Sequence, residues 1–554
     1  MIIIHAYFKE YTDRLLESGI AQKGDGFKIN QMYRAPEELK FNIIAKKGGA
    51  FFNLVKDCAS CFYVDRLQGG VFYSRYDFSK DLIDTYARET DAEFLGIQVH
   101  ELGNTRGLDW KRIQKCLAAE NLEWTEENIY NSVRKISADK NFPHFSQGPA
   151  SEYAALTPPK TVTEFVNDLD YVLSERQKST WGNVLKCDDG FMYCRSEERH
   201  KIRNTFIEVG GQRPQIRLQF ALRRGLSRST GKKWGTYIEP WGGKECTTYV
   251  YERDGANDWF RPRLSEPMEN RPFLHTVGEK GGTSISLAGR LMFYALFAGS
   301  DYFAEEWGAG NTFYSWEEGG LTPYGIFKKK MADLSRKLTK VKAVVPIAII
   351  LPKQYQLVLT HGGNISFEND AIPGAYPDIV RKIHKLFYNG NMLGTEDNLM
   401  TVGRYGSLFD IIYEDTYEHP EKEYEFLVDF SGKFAGSLDV AANAYEENEL
   451  YARLDRFISE YLPFSYVSKN DIDYTLFEND GKKYCAFFNH SGLSKSVAEG
   501  ESINPDSATN VKITMKNANI AEVFDICEIG YSLYEGNRID VRLGGGEFIL
   551  FRYE

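Results

Sequence analysis

The 554-residue chain lacks the features that mark several classes of protein. No apolar run approaches the roughly 20 residues of a transmembrane helix, so we expect no membrane partner. Basic residues are in deficit, with 67 Lys and Arg against 78 Asp and Glu and a net charge of −11. Because phosphate binding requires a basic surface, a nucleic acid is not an expected partner.

Metal and nucleotide motifs are also missing. The nine histidines contain no His-x-x-x-His pair, and the eight cysteines form no paired framework, so a metal centre is not predicted. The stretch 225–233 has one residue too many before its second glycine for a phosphate-binding loop, and no Gly-x-Gly-x-x-Gly follows a strand. We therefore expect no cofactor.

The N-terminus carries no recognisable signal peptide. The apolar stretch Met1–His5 is too short and is soon followed by the charged residues Lys9 and Glu10. Two locations stay open on this reading: the cytoplasm, or the periplasm or exterior if a leader was removed before this numbering begins.

From residue 25 to about residue 340, short apolar runs alternate with helical patterns, which indicates βα units and a parallel sheet. We predict eight strands, at residues 27–30, 41–45, 61–64, 94–99, 183–187, 205–207, 234–238 and 301–304. Eight units in about 310 residues fit a (β/α)₈ TIM barrel with insertions. Residues 1–25 are expected to form an N-terminal arm with one helix.

Two further domains are predicted after the barrel, which would occupy residues 1–340. Residues 341–465 continue an α/β rhythm around the nearly continuous apolar run Val344–Leu351, typical of a strand buried on both faces. This region predicts a small open α/β domain of flavodoxin-like type. Residues 466–554 change to short alternating strands separated by turn residues, which indicates a C-terminal β-sandwich.

An acid follows the clearest of the barrel strands. Trp234–Ile238 is β-branched and aromatic, and it runs into Glu239 before Pro240 begins a loop. The same order of apolar run, acid and then Gly or Trp recurs at Phe94–Glu101, Phe206–Glu208 and Tyr302–Glu306. Because α/β barrels keep their catalytic groups at the carboxyl ends of their strands, we interpret these acids as candidate site residues.

Two carboxylates across a barrel mouth are the minimum for glycoside hydrolysis, one protonated to donate to the leaving oxygen and one ionised to attack or to activate water. The acids after predicted strands four and seven are Glu101 and Glu239, which would converge on one bound sugar. A separation of about 5–5.5 Å would give retention, and about 6.5–9.5 Å inversion.

The order of barrel, small α/β domain and β-sandwich resembles that of family-42 β-galactosidases and related retaining glycoside hydrolases. The Asn270–Pro272 loop, the helix at 284–299 and Leu321–Gly325 ahead of Val345–Ile349 are similar to the end of that family's barrel. The resemblance implies a carbohydrate substrate, with Glu101 as acid/base and Glu239 as nucleophile. It also implies a possible homo-oligomer, because the family's middle domain trimerises.

One position departs from the family pattern. His100 stands where those families place an Asn that binds the sugar 2-hydroxyl, so His100 or Asn104 would have to make that contact. The remaining candidates for substrate binding are acids and indoles near strand ends: Glu208, Glu305, Glu306, Trp241, Trp259 and Trp307. One of the adjacent acids Glu305 and Glu306 should point inward and the other outward, because side chains alternate along a strand.

Two other interpretations stay open. The chain could be a non-catalytic carbohydrate-binding relative whose acid pair has drifted, an interpretation that His100 supports. A metal-dependent barrel hydrolase would need a His/Asp cluster at the strand ends, and the sequence offers none.

Overall fold

The computed structural model describes residues 1–6, 9–30, 47–65, 80–100, 102–138, 157–188, 195, 199–210, 216–239, 285–305, 312–315, 319–321, 323–353, 379, 382–383, 386, 405, 407–434, 447–470, 472–495, 501–525 and 530–554. Within these ranges, no helix is both long enough and apolar enough to span a bilayer.

Eight parallel strands close into a barrel in the order of the chain, which confirms the predicted TIM-barrel class. The strands are β1 Ile2–Ala6, β2 Gly26–Asn30, β3 Cys61–Asp65, β4 Glu93–His100, β5 Val184–Asp188, β6 Asn204–Gly210, β7 Trp234–Glu239 and β8 Tyr302–Glu305. Strands four and seven are therefore those that the sequence predicts.

The first strand is where the prediction was wrong. Residues 2–6 do not belong to an arm but form β1, which pairs with β2 on one side and with β8 on the other and so closes the barrel. The strand predicted first, at 27–30, is thus the second. The strand predicted at 41–45 lies outside the described residues.

Helices cover the outside of the barrel. They are α1 Lys9–Glu17, α2 Ala50–Cys58, α3 Lys80–Glu89, α4 Leu102–Ala119, α5 Glu126–Ala138, α6 Val162–Ser179, α7 Ile216–Thr230, α8 Ile285–Phe297 and α9 Pro323–Lys337. Helix α6 begins with a capping box, in which Thr161 and Glu164 satisfy each other's backbone N–H groups. Short strands β9 Phe313–Ser315 and β10 Gly319–Leu321 form a hairpin between β8 and α9.

A second, three-stranded parallel sheet follows, in the order β13-β12-β14. Its strands are β12 Ile347–Leu351, β13 Phe409–Tyr413 and β14 Phe426–Asp429, and helix α10, Glu447–Tyr461, comes after them. Every residue of the central strand β12 is buried, as its continuous apolar run predicts. Most of the helix predicted at 378–388 lies outside the described residues.

Antiparallel sheets make up the C-terminal region. A six-stranded sheet joins β11 Val341–Ala343, β16 Asp473–Asn479, β17 Lys482–Phe488, β24 Phe548–Tyr553, β21 Ile520–Asp525 and β22 Gly530–Gly536. A three-stranded sheet joins β15 Phe464–Val467, β20 Thr509–Met515 and β23 Arg538–Leu543, and β18 Leu493–Lys495 pairs with β19 Glu501–Ile503. The two larger sheets share one apolar core, in which the rings of Phe464 and Phe487 lie 4.8 Å apart, and this is the packing of a sandwich.

The cores of these regions run into one another. The opposite face of the six-stranded sheet, including Phe477 and Phe488, packs on helices α8 and α9 of the barrel. The sandwich core in turn continues through the parallel sheet to helix α7. Domain limits at residues 340 and 465 stay predictions.

Candidate active site

The interior of the barrel is set by the alternation of side chains along its strands. Alternate residues of seven strands, among them Ile3, Tyr63, Phe206, Tyr237 and Ala304, form one buried cluster. The residues between them pack outward against the helices. Interior positions closer to the carboxyl ends of the strands carry polar side chains instead, as described next.

Lys28 of β2 places an amino group in this interior. Its neighbours Phe27 and Ile29 belong to the outer core, so the strand alternation directs Lys28 into the barrel. Its Nζ donates a hydrogen bond to the Tyr237 hydroxyl and lies 4.2 Å from the centroid of that ring. Both side chains are 0 % exposed. A positive charge is therefore held inside the barrel against β7, two residues before Glu239.

Glu208 of β6 adds a carboxylate to the same interior. It lies between Ile207 and Val209, which pack outward, and it is 3 % exposed. Its backbone is in register with that of Tyr237 on the adjacent strand, which in a sheet means a separation of about 4.8 Å. The Glu208 side chain therefore leaves its backbone beside that of Tyr237. Of the acids predicted for substrate binding, it is the one whose side chain the structure describes within the barrel.

The ends of β4 and β7 carry the predicted catalytic pair. Glu239 is the last residue of β7, where its backbone is in register with Gly210 of β6. His100 is the last residue of β4, in register with Cys187 of β5, and Glu101 follows it in the sequence. Both strands therefore end at the catalytic face expected of a parallel barrel.

For several predicted site residues the structure describes the backbone alone or nothing. For His100, Asn104 and Glu239 only the backbone is described, and Asn104 belongs to the first turn of α4. Five lie outside the described residues: Glu101, Trp241, Trp259, Glu306 and Trp307. Their roles stay predictions.

Glu305 lies in a buried ion pair on the helix side of β8. Its carboxylate contacts the ammonium of Lys328 on α9, and both side chains are 5 % exposed. Burial opposes the charge of Lys328, but Glu305 and Tyr11 more than offset this and raise the pKa of Lys328 above its ordinary value. Tyr11 also forms a 3.3 Å hydrogen bond with Thr312. Glu305, predicted as a possible sugar ligand, is thereby engaged with the outer wall of the barrel.

Lys28 and Tyr237 are buried polar residues of the barrel interior that are not among the residues predicted from the sequence. The available signal was the lysine between two apolar residues of a strand, because alternation then sends it to the opposite face from Phe27 and Ile29. Within the described ranges, no three His, Cys, Asp or Glu side chains come together as a metal-binding group.

Comparison with known proteins gives remote structural matches alone. No protein-family model matches the chain, and no curated protein matches it by sequence. Among solved structures, α-L-fucosidase isoenzyme 2 from Paenibacillus thiaminolyticus is 10 % identical with a TM-score of 0.44, over 100 % of this chain and 99 % of that one. Gan42B, a GH42 β-galactosidase, is 8 % identical with a TM-score of 0.43, over 99 % of this chain and 97 % of that one. A GH30 endoxylanase from Clostridium papyrosolvens is 8 % identical with a TM-score of 0.34, over 100 % and 95 %.

These three proteins are glycoside hydrolases by name, as the resemblance in the sequence suggests. At such identities and TM-scores they carry no argument about activity. The barrel itself is established by the strand pairing of this chain.

Proposed function

We propose that this protein is a glycoside hydrolase that cleaves an oligo- or polysaccharide with retention, using Glu239 as nucleophile and Glu101 as acid/base. The observation that carries the proposal is the buried Lys28–Tyr237 contact inside a closed parallel barrel, two residues before the acid that ends β7. A retaining nucleophile must be ionised while its partner acid is protonated.

The buried ammonium supports this division of labour between the two acids. A positive charge in a water-poor interior favours the ionised form of a carboxylate nearby, and Lys28 lies against β7, the strand of Glu239. The Tyr237 hydroxyl, which accepts from Lys28, fixes that charge in place. Glu101 follows β4, which is three strands from β7 around the barrel, and the Lys28 ammonium lies against Tyr237 of β7, so the Glu101 carboxylate would depend less on Lys28.

The substrate would lie over the carboxyl ends of the strands. In this proposal Glu208 and Glu306 accept hydrogen bonds from sugar hydroxyls, and His100 or Asn104 contacts the 2-hydroxyl. The indoles predicted for the site, Trp241, Trp259 and Trp307, would stack on sugar rings, since flat aromatic faces suit the apolar faces of sugars.

The test is the Glu239→Gln variant, assayed on a panel of chromogenic glycosides and polysaccharides. We expect hydrolysis to fall by roughly a thousandfold or more, because the amide cannot attack the anomeric carbon, while folding and sugar binding persist. The matched control is Glu120→Gln, which neutralises a surface glutamate that pairs with Lys135. Undiminished turnover by Glu239→Gln would remove it as nucleophile.

Retention is tested separately, by following the anomer first released with proton NMR. The proposal expects the configuration of the substrate to be kept in the first product. Release of the inverted anomer would leave a hydrolase but reassign Glu239 to the activation of water.

A second candidate function is carbohydrate binding without catalysis. It is favoured by His100 at the end of β4, where the resembled families have Asn. Glycan binding with no reducing-sugar release from the wild-type chain over the same substrate panel would support it against the hydrolase.

A further inference from the structure

A cavity, called the junction cavity below, lies where helix α7 of the barrel meets the parallel sheet and the sandwich. It has a volume of about 460 Å³, within the range of about 300–1,000 Å³ of small-molecule sites. It is lined by helix α7, by residues 342–346 at and after the end of β11, by the loop before β14, by the end of α10 and by strand β16. Its polar lining includes Arg228, Tyr417, Glu423, Tyr424, Tyr461 and Glu478.

The position of this junction cavity follows from the topology of the barrel. Helix α7 leaves the carboxyl end of β6 and runs back to the start of β7 at Trp234. Arg228 is in the last turn of α7, so the cavity lies near the end of the barrel where the strands begin. The proposed catalytic acids are at the other end, and one ligand of ordinary size could not occupy both sites.

One wall of the junction cavity is fixed by a buried carboxylate. Asp410 of β13 is 0 % exposed and accepts hydrogen bonds from Arg228 Nη1 and from the Tyr424 hydroxyl, both at 3.0 Å. Arg224 Nε binds the other oxygen of Asp410 at 2.6 Å. The second guanidinium nitrogen of Arg228 donates to the Ala343 carbonyl at 2.8 Å. Because both terminal nitrogens of Arg228 are already bound, its side chain loses little conformational freedom when a ligand binds.

The cavity offers aromatic rings together with charges of both signs. Tyr417 meets Tyr424 edge to face, with centroids 6.1 Å apart, and Tyr461 stacks on Phe457 of the same helix at 5.6 Å. Three glutamates and Lys342 complete the charged lining. The glutamates are Glu423, Glu425 and Glu478.

We propose that the junction cavity is a second carbohydrate site, which binds a neutral saccharide. Hydroxyl groups both donate and accept, so they can pair with the carboxylates and with Arg228 or Lys342, while the tyrosine rings suit the apolar face of a sugar. A phosphorylated or polyanionic ligand would face three carboxylates. This inference shares its ligand class with the proposed function but does not require that the barrel be catalytic.

The experiment is titration calorimetry of the full chain with neutral cello-, xylo-, malto- and galacto-oligosaccharides, carried out in the Glu239→Gln background so that nothing is cleaved. Tyr461→Ala should weaken one binding event about fivefold to tenfold, the scale of a single aromatic contact. Tyr461→Phe keeps the ring and should stay within about twofold if stacking is the main contact. The matched control is Tyr171→Ala, which removes an exposed tyrosine of α6.

The two proposals fail in distinguishable ways. With Glu239 restored, Tyr461→Ala should leave turnover of a small aryl glycoside unchanged, since that substrate needs the barrel end alone. If neither Tyr461→Ala nor Glu478→Gln changes the affinity for oligosaccharides, the second site is overturned, and the proposed hydrolase activity is unaffected. Saturable binding of spermidine with no saccharide binding sensitive to Tyr461 would also overturn it, because the cavity would then serve a cation. Absence of hydrolysis by the wild-type chain would contradict the proposed function and not the second site.

Discussion

At the scale of single residues, a charged lysine buried in a protein interior needs an anionic neighbour to offset its desolvation. Lys28 is enclosed by the barrel, and its contact with Tyr237 satisfies one donor without neutralising its charge. Removing an ammonium group from water costs several kcal/mol, so such a group is rarely placed in a core without an anionic neighbour. Glu208, whose backbone is in register with that of Tyr237 on the next strand, is a buried carboxylate of the same interior. In the proposed function the second carboxylate that Lys28 acts on is Glu239.

The Lys28→Met variant tests this use of the charge. We expect kcat/KM to fall by about a hundredfold, the scale of losing one preorganised electrostatic group, because Glu239, the proposed nucleophile, would lose the cation that favours its ionised form. For the same reason the acidic limb of the pH profile should move to higher pH, since a carboxylate without the cation holds its proton more tightly. The measurement is kcat/KM against pH.

The control for Lys28→Met is a variant of Lys233, which precedes β7 at the end of the barrel opposite to Glu239. Lys233→Met removes an exposed ammonium that pairs with Glu93 at 3.4 Å, and it should leave the pH profile in place. Tyr237→Phe should give a smaller loss than Lys28→Met. An acidic limb that stays fixed in Lys28→Met would show that its charge does not act on the reacting carboxylate.

Residue roles show how far one sequence can be taken. The alternation rule requires that Glu305 and Glu306 differ in direction, but it could not say that Glu305 is the one on the helix side of β8. Lys328, the partner of Glu305, lies 23 positions further along the chain on α9, and no local pattern links a strand-end acid to a helix lysine. The same limit hid the partner of Lys28, because Tyr237 is 209 positions away.

At the scale of elements, helix α7 and strand β13 approach each other more closely than side chains usually allow. A Cβ on Gly225 would lie 2.3 Å from the Ile411 carbonyl oxygen and 2.9 Å from Ile412 Cγ2. Glycine is therefore used here for the space it leaves, because its presence inside a helix otherwise costs about 0.5–1 kcal/mol.

The sign of the stability change in Gly225→Ala decides this interpretation. Helix propensity alone predicts a gain, whereas a forced separation of α7 from β13 costs about 1–3 kcal/mol. We expect a net loss of about 1–2 kcal/mol in the free energy of unfolding, measured in urea. Ser229→Ala on the same helix should stay within about 0.5 kcal/mol, and a more stable Gly225→Ala protein would contradict the close contact.

Element prediction succeeded where burial on both faces left a strong local pattern. Strand β12, with five buried residues, and β7, with Trp234 to Ile238, were both found from their apolar and aromatic runs. Strand β1 has a shorter apolar run, Ile2–Ile4, and no preceding turn signal, so nothing local distinguishes it from an arm. Its role comes from pairing with β8, about 300 positions later, which is a property of barrel closure.

At the scale of the whole molecule, barrel and sandwich are joined by a buried polar network as well as by apolar packing. Arg217 of α7 contacts the Asp473 carboxylate of β16 and donates to the Tyr294 hydroxyl of α8 at 3.1 Å. His490, after β17, lies 3.1 Å from that hydroxyl and 3.3 Å from Asp473. Burial, with Arg290 and Arg217, lowers the pKa of His490 well below its usual range, so its imidazole stays neutral. Burial also raises the pKa of the Asp473 carboxyl, but the permanently charged Arg217 guanidinium in direct contact with it favours its ionised form.

The Asp473→Leu variant should consequently destabilise the whole molecule. Removing the Asp473 carboxylate leaves the Arg217 guanidinium buried without that partner, which costs about 3–5 kcal/mol in the free energy of unfolding. The double variant Arg217→Met with Asp473→Leu should recover more than half of that loss, because an apolar pair of similar volume carries no desolvation penalty. Urea unfolding followed by both near-UV dichroism and barrel activity should give coincident transitions, since the two regions share a core. If the double variant were as unstable as the single one, packing rather than the ion pair would be what joins the sandwich to the barrel.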